Sequence, residues 1–161
     1  MPSHQQAVKV GFGFRTMLPL PPPLQVDSSK QDRGEYGERL ALYFFEHVKA
    51  MRLVEANWKT RSGPRGEIDL IVRDADILVF VEVRARSRDA LVSGAFSLNR
   101  KKREVLERTF KTYMRELKKP PRHFRFDIVE VELPAYGCEG VGTLFYYPNV
   151  LLFRKDYRLV S

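Results

Sequence analysis

Residues 67–85 constrain the fold more than any other stretch of this 161-residue chain. They read "EIDLIVRDADILVFVEVRA", two apolar runs split by the polar turn Asp74-Ala75-Asp76. Apolar runs bounded in this way are the mark of a β-hairpin. In the second run, alternation puts Leu78, Phe80, Glu82 and Arg84 on one face and Ile77, Val79, Val81, Val83 and Ala85 on the other. Both faces are largely apolar, so this strand is expected to be central and covered on both sides. Each run nevertheless holds a carboxylate, Asp69 in the first and Glu82 in the second. A turn over 74–76 pairs Asp69 with Val81, and a turn one residue tighter sets it opposite Glu82. In either register the two acids are neighbours across the ladder, where directly opposite Cβ atoms lie about 4.5–5.5 Å apart.

Like charges at that range repel, and more strongly as water is excluded. The pair can persist if a cation lies between them or if one carboxylate takes a proton. A hard divalent ion suits the first case, because Mg²⁺ often takes only one or two carboxylates, with waters and a phosphate completing its shell. The bland alternative is a salt-bridged trio in which Arg84, two residues beyond Glu82, neutralises both acids. Further charged groups converge on the same region. Glu38 is expected in the first turn of a helix over 34–51, at the edge of its apolar stripe. Lys102 falls on the apolar stripe of a second helix, and its charge is either directed into the site or snorkels to solvent.

The remaining elements follow from periodicity. In 34–51, Tyr36, Leu40, Phe44 and Val48 recur every four residues, with Ala41 and Phe45 widening the stripe. Residues 52–59 read as a first strand, 60–66 as a loop, and 67–73 and 77–85 as the hairpin. An irregular connection over 87–99 leads to Asn99, a suitable N-cap for a helix over 100–117. That helix buries Val105, Leu106, Thr109, Phe110, Tyr113, Met114 and Leu117. Residues 124–133 alternate as a strand, and 143–153 as a last strand or irregular ribbon. The order α-β-β-β-α-β, then β, places a helix between the third and fourth strands and so implies a parallel crossover. The predicted class is α/β, a mixed sheet flanked by helices. Residues 1–33, which include "LPLPPP", read as an extended or disordered extension to a single domain over 34–161.

Charge narrows the choice of partner. The net charge is +8, and residues 99–125 alone hold eleven Lys/Arg against three Glu. The rest of the chain is neutral, so this one segment carries the whole imbalance. Such a segment suits a phosphate backbone or another anionic surface, or is simply a solvated face. The single cysteine, Cys138, excludes an internal disulfide and fits a reducing compartment. His4, His47 and His123 are scattered and make no zinc spacing. No apolar run is long enough to span a bilayer, and the N-terminus lacks the apolar core of a secretory signal. A soluble cytoplasmic protein with no membrane partner is expected.

These motifs together resemble the PD-(D/E)XK nuclease core of restriction-endonuclease-like enzymes and Holliday-junction resolvases, and most closely the YraN family of predicted endonucleases. The resemblance runs through "GEYGERLAL", "GEIDLIVRD", "ILVFVEVRARS", "SLNRKK" and "RFDIVEV", about residues 34–133. It implies a restriction-endonuclease-like fold and Mg²⁺- or Mn²⁺-dependent hydrolysis of DNA phosphodiesters, on branched or single-stranded DNA for example. Asp69 and Glu82 would be metal ligands, and Glu38 an accessory ligand or the holder of a water. Arg84 stands where the broad signature has lysine, and Lys102 would be an auxiliary phosphate contact. Asp127 is either a helper in the site or a structural acceptor. Arg100, Lys101, Arg103, Arg108 and Lys111 would grip flanking phosphates without reading base sequence. Arginine at position 84 stays protonated, so it can stabilise charge but cannot serve as a general base. Junction-cutting relatives pair into homodimers, which leaves a dimer open here. Two other classes remain in view: a nuclease fold that binds nucleic acid without cutting it, and an assembly factor that uses the proline-rich N-terminus.

Overall fold

The computed structural model describes residues 8–10, 21–90 and 98–152. A six-stranded mixed sheet lies between two helices. In chain order the elements are β1 (Val8–Val10), α1 (Lys30–Tyr43, continued by a π-helical turn Phe44–Val48), β2 (Arg52–Lys59), β3 (Glu67–Asp74) and β4 (Ile77–Ser87). Then come α2 (Arg100–Glu116), β5 (His123–Leu133) and β6 (Thr143–Tyr147). The sheet order is β1-β6-β5-β4-β3-β2, with β4 and β5 parallel and every other pair antiparallel. The α-β-β-β-α-β core, its mixed sheet and its parallel crossover through α2 are as the sequence pattern implies.

Local chemistry sets the boundaries. Helix α1 starts at Lys30, four residues before the expected start. Ser29 and Asp32 form a capping box there: Ser29 Oγ accepts from the Asp32 N–H (3.1 Å) and Asp32 Oδ2 from the Ser29 N–H (2.8 Å). Glu38 therefore lies in mid-helix, not in the first turn. The π turn rotates the end of the stripe, so Phe44 and Phe45 are buried while Val48 is 44% exposed. Helix α2 is capped as expected, with Asn99 Oδ1 accepting from the Lys102 N–H at 2.8 Å. Its buried residues are Leu106, Thr109, Phe110, Tyr113 and Met114.

The segment before residue 34 contributes to the fold. Val8–Val10 pairs with β6 as an edge strand, and Leu24 is buried and bridges to Gly140. The rest of the expected extension, 1–7 and 11–20, lies outside the described residues, as do 91–97 of the irregular connection and 153–161. Strand β6 ends at Tyr147, short of the sequence-based limit. Beyond it the chain turns back, and the Val150 N–H donates to the Phe126 carbonyl (2.7 Å).

Each face of the sheet carries its own core. Val72, Val79, Val81, Val129, Val131 and Leu144 pack with α1 on one side. Ile71, Leu78, Phe80, Phe126 and Ile128 pack with α2 on the other, where the Phe80 and Phe110 rings stack at 4.5 Å. Strand β4 is central and covered on both sides. Two glycines set how closely the layers meet. A Cβ on Gly37 would come within 2.7 Å of the Ala85 Cβ, so glycine lets α1 lie directly on β4. A Cβ on Gly66 would come within 2.0 Å of Thr109 Oγ1, which fixes the β2–β3 loop against α2.

Candidate active site

The site forms where the β3–β4 ladder ends. Pairing runs from Asp74↔Ile77 to Leu70↔Val81, so the hairpin takes the tighter turn and the next level is Asp69 with Glu82. On its other side β4 stays paired with β5 as far as Ser87↔Leu133. From Glu82 onward β4 therefore has a strand partner on one side only. Asp69 fills the first gap with its side chain: Oδ2 accepts the Val83 N–H at 2.7 Å.

Glu82, only 7% exposed, accepts a charge-assisted hydrogen bond from Lys102 Nζ at 2.8 Å. The lysine of the α2 stripe is thus directed into the site instead of out to solvent. Lys102 is a direct ion-pair partner of Glu82. Asp69 is less well compensated. Burial first, and then the Glu82 charge, push its carboxyl up from 3.8 to about 7; the Val83 hydrogen bond and the more distant Lys102 offset this only in part.

Glu38 reaches the region from α1. Burial raises its pKa, opposed by a side-chain hydrogen bond from Asn57, and its charge in turn raises that of Asp69. Asn57 lies in β2 between the pairs Ala56↔Leu70 and Trp58↔Ile68, level with Asp69. Its φ of +52° is rare for a non-glycine residue inside a strand. Sequence reasoning did not single out Asn57, and its only sequence signal is an amide among strand-forming neighbours.

Among the described residues no group of three or more His, Cys, Asp or Glu is placed to hold a metal. Asp69 and Glu82 still fit a hard ion that needs one or two carboxylates and completes its shell with water. Asp69 is held up in its titration by burial first and by the Glu82 charge second, and the donor set is all oxygen.

A family model described as "Uncharacterised protein family UPF0102" matches residues 37–131. A UPF0102 protein of Ectopseudomonas mendocina is 36% identical over 123 residues, which is 76% of this chain and 96% of that relative. One from Beutenbergia cavernae is 37% identical over 116 residues, 72% of this chain and 95% of its own length. The chain belongs to the UPF0102 family. This is the YraN family that the sequence motifs resemble.

The UPF0102 match begins one residue before Glu38 and covers Asn57, Asp69, Glu82, Arg84 and Lys102. In this UPF0102 chain Glu38, Asp69, Glu82 and Lys102 converge, through the contacts and charge effects described above. Arg84 lies one alternation beyond Glu82 on the same face, half-buried. Asp127 is not part of the site: it pairs with Val81 and faces α1, and it is fully buried among structural partners. The basic residues of α2 are dispersed. Lys101 and Arg108 are exposed. Arg100 is paired with Glu104 (2.9 Å), Lys111 with Glu107 (2.5 Å), and Arg103 donates to the Leu151 carbonyl. No helix of the described residues is long and apolar enough to cross a membrane.

Proposed function

We propose that this chain is a divalent-metal-dependent endonuclease that hydrolyses DNA phosphodiester bonds. The observation that carries the proposal is the placement of Asp69 and Glu82 at the split of β3 from β4, with the Asp69 carboxyl pushed up to about 7. Such a perturbed acid beside a second acid is the signature of a site built to receive something. Asp69 and Glu82 would hold Mg²⁺ or Mn²⁺, and the ion would supply Lewis acidity at a phosphate oxygen.

The chain's own groups supply the rest. Lys102 Nζ, 2.8 Å from Glu82, neutralises that carboxylate while the site is empty of substrate and lies within reach of a phosphate oxygen brought to it. Arg84 is a permanent cation and would stabilise charge gathering on phosphorus-bound oxygens, without taking a proton. Glu38, held by Asn57, would accept a hydrogen bond from water and orient it. Lys101 and Arg108 on the exposed face of α2 would hold neighbouring phosphates in a salt-dependent way.

A second reading is a nucleic-acid-binding module that does not cut. Two observations favour it: Glu82 already has a cation in Lys102, and arginine stands at position 84. A cleavage panel of duplex, nicked, flap and four-way-junction DNA with Mg²⁺ or Mn²⁺ separates the two. Metal-dependent product that Asp69→Asn and Glu82→Gln abolish, with binding retained, is the expected result. Salt-dependent binding with no product at any metal concentration would replace the nuclease with the binding module.

A further inference from the structure

Beyond Glu82 the α2-facing side of the sheet continues as ordered cross-strand rows. The β4–β5 register sets Arg84 beside Glu130 and Arg86 beside Glu132. The β5–β6 register sets Phe145 beside Glu130, and Tyr147 beside Ile128 in the preceding row, which starts at Glu82. Residues paired across a ladder share a face, so Arg84, Glu130 and Phe145 form one row on the face that carries Glu82. A groove of about 290 Å³ opens over this floor, lined by Arg84, Arg86, Arg88, Glu130, Phe145 and Tyr147. The Tyr147 hydroxyl donates to Glu130 Oε2 at 3.3 Å and fixes one oxygen of that carboxylate.

We infer that the row Arg84–Glu130–Phe145 is a subsite for one unpaired nucleotide next to the cut phosphate. The inference rests on the reading of Asp69 and Glu82 as a nucleic-acid-cleaving centre. Successive rows along a strand are about 6.6–6.8 Å apart. That is one step of an extended polynucleotide, so a phosphate held at Glu82 and Asp69 places the next in the row of Arg84, whose guanidinium would lie between the two phosphates and bridge them. Two strands away from Arg84, about 9–10 Å, the half-buried Phe145 ring offers a stacking surface to the base of that nucleotide. Stacking on an aromatic ring accepts any base. Glu130 adds a preference, because a carboxylate accepts from an exocyclic amino group such as cytosine N4, and thymine has none. A paired duplex cannot use the row, since its bases are turned inward and none is free to stack on the Phe145 ring. The ligand class is therefore a single-stranded flank.

The test is fluorescence anisotropy with the full chain and no divalent ion. Its ligands are labelled oligo-dC and oligo-dT of equal length and a blunt duplex. Phe145→Leu is expected to lose about fivefold or more of its single-strand affinity, with duplex affinity changed less than about twofold. Phe145→Tyr, which keeps a ring, should bind as the wild type does. The wild type should prefer oligo-dC to oligo-dT by about fivefold, and Glu130→Gln should narrow that gap. Phe145→Leu that is folded by circular dichroism yet binds single strands like the wild type overturns the subsite, as does equal loss for single strand and duplex. Equal affinity of the wild type for dC and dT overturns the role of Glu130. Cleavage plays no part in the measurement. A protein that passes here but yields no product keeps the subsite and loses the nuclease reading, and the reverse result keeps the nuclease and loses the subsite.

Discussion

Two buried carboxylate clusters lie one register step apart on opposite faces of the same sheet, and they are built in opposite ways. Asp127, level with Val81, is fully buried on the α1 side. Its oxygens accept from Arg125 Nε (3.0 and 3.1 Å), the Tyr146 hydroxyl (2.6 Å) and the Asn149 N–H (2.8 Å), and Arg125 also binds Asp74 at 2.9 Å. Glu82, level with Ile128, has Lys102, and its neighbour Asp69 has one backbone N–H. Each cluster sets two carboxylates against one cation, but the oxygens of Asp127 accept four hydrogen bonds whereas Asp69 accepts one, at the point where a strand pair comes apart. A buried acid with all its partners fixes the chain, whereas one short of partners is poised to bind.

The largest effect that tests this contrast is Asp127→Ala. It strands the Tyr146 hydroxyl and the Asn149 N–H and leaves Arg125 with Asp74 alone, and breaking a buried ion pair from one side costs about 3–5 kcal/mol. Urea denaturation should show that loss, or a failure to fold. Glu82→Gln should cost less, about 1 kcal/mol, because the lost pairing with the partly exposed Lys102 is offset by relief of the repulsion between Glu82 and Asp69. Equal losses would dissolve the distinction between the clusters.

Asp69→Asn should act in the other direction and stabilise the metal-free protein. The folded-state carboxyl titrates at about 7, above its ordinary value of 3.8, so between those values the native state binds the extra proton. Stability from this group is then greatest below pH 4, falls as pH rises towards 7, and is level above it. The full gap corresponds to at most about 4 kcal/mol, and the partly open site should reduce the gain of Asp69→Asn at pH 8 to about 2 kcal/mol. Denaturation of both proteins at pH 5 and pH 8 isolates the difference, and a gain that does not grow with pH would contradict it. Saturating Mg²⁺ should raise the melting temperature of the wild type but not of Asp69→Asn.

Lys102→Met sharpens the same point at smaller scale. It removes the ammonium from a Glu82 side chain that is 8% exposed, while the lysine itself is 42% exposed. A loss of about 1–2 kcal/mol in metal-free buffer is expected, shrinking when Mg²⁺ is added. Melting curves with and without the ion check it.

Much of this was legible in the sequence, for reasons that differ by element. The α/β order, the central β4, the Asn99 cap and the α2 stripe rest on local periodicity and capping, which a sequence displays directly. The adjacency of Asp69 and Glu82 follows from alternation once the hairpin is recognised, and only the turn length was open. The Asp74↔Ile77 pairing, with Ala75 at φ +49°, settles it. The early start of α1 rests on the Ser29–Asp32 box, which lies ahead of the apolar stripe and so is not reported by periodicity. The Lys102–Glu82 pair was left open because a stripe lysine can bend either way, and only the tertiary packing of α2 on β4 decides its direction. Asn57 was out of reach: its role depends on a left-handed backbone and on a helix brought close by Gly37, neither of which periodicity reports.

The smallest predicted effect on stability falls at that residue and separates positioning from folding. At φ +52° an asparagine is tolerated, glycine is at ease, and alanine is strained. Asn57→Gly loses the hydrogen bond to Glu38 but relaxes the backbone, so its net change should be within about 0.5 kcal/mol. Asn57→Ala loses the same bond and keeps the strain, for a cost of about 1–2 kcal/mol. If Asn57 serves to hold Glu38 towards Asp69, both variants should lose nicking activity alike, about tenfold or more, despite their different stabilities. If it serves only the strand, activity should follow stability and Asn57→Gly should cut as the wild type does. Side-by-side melting curves and nicking rates for the two variants decide between these, because the glycine protein moves one readout without the other.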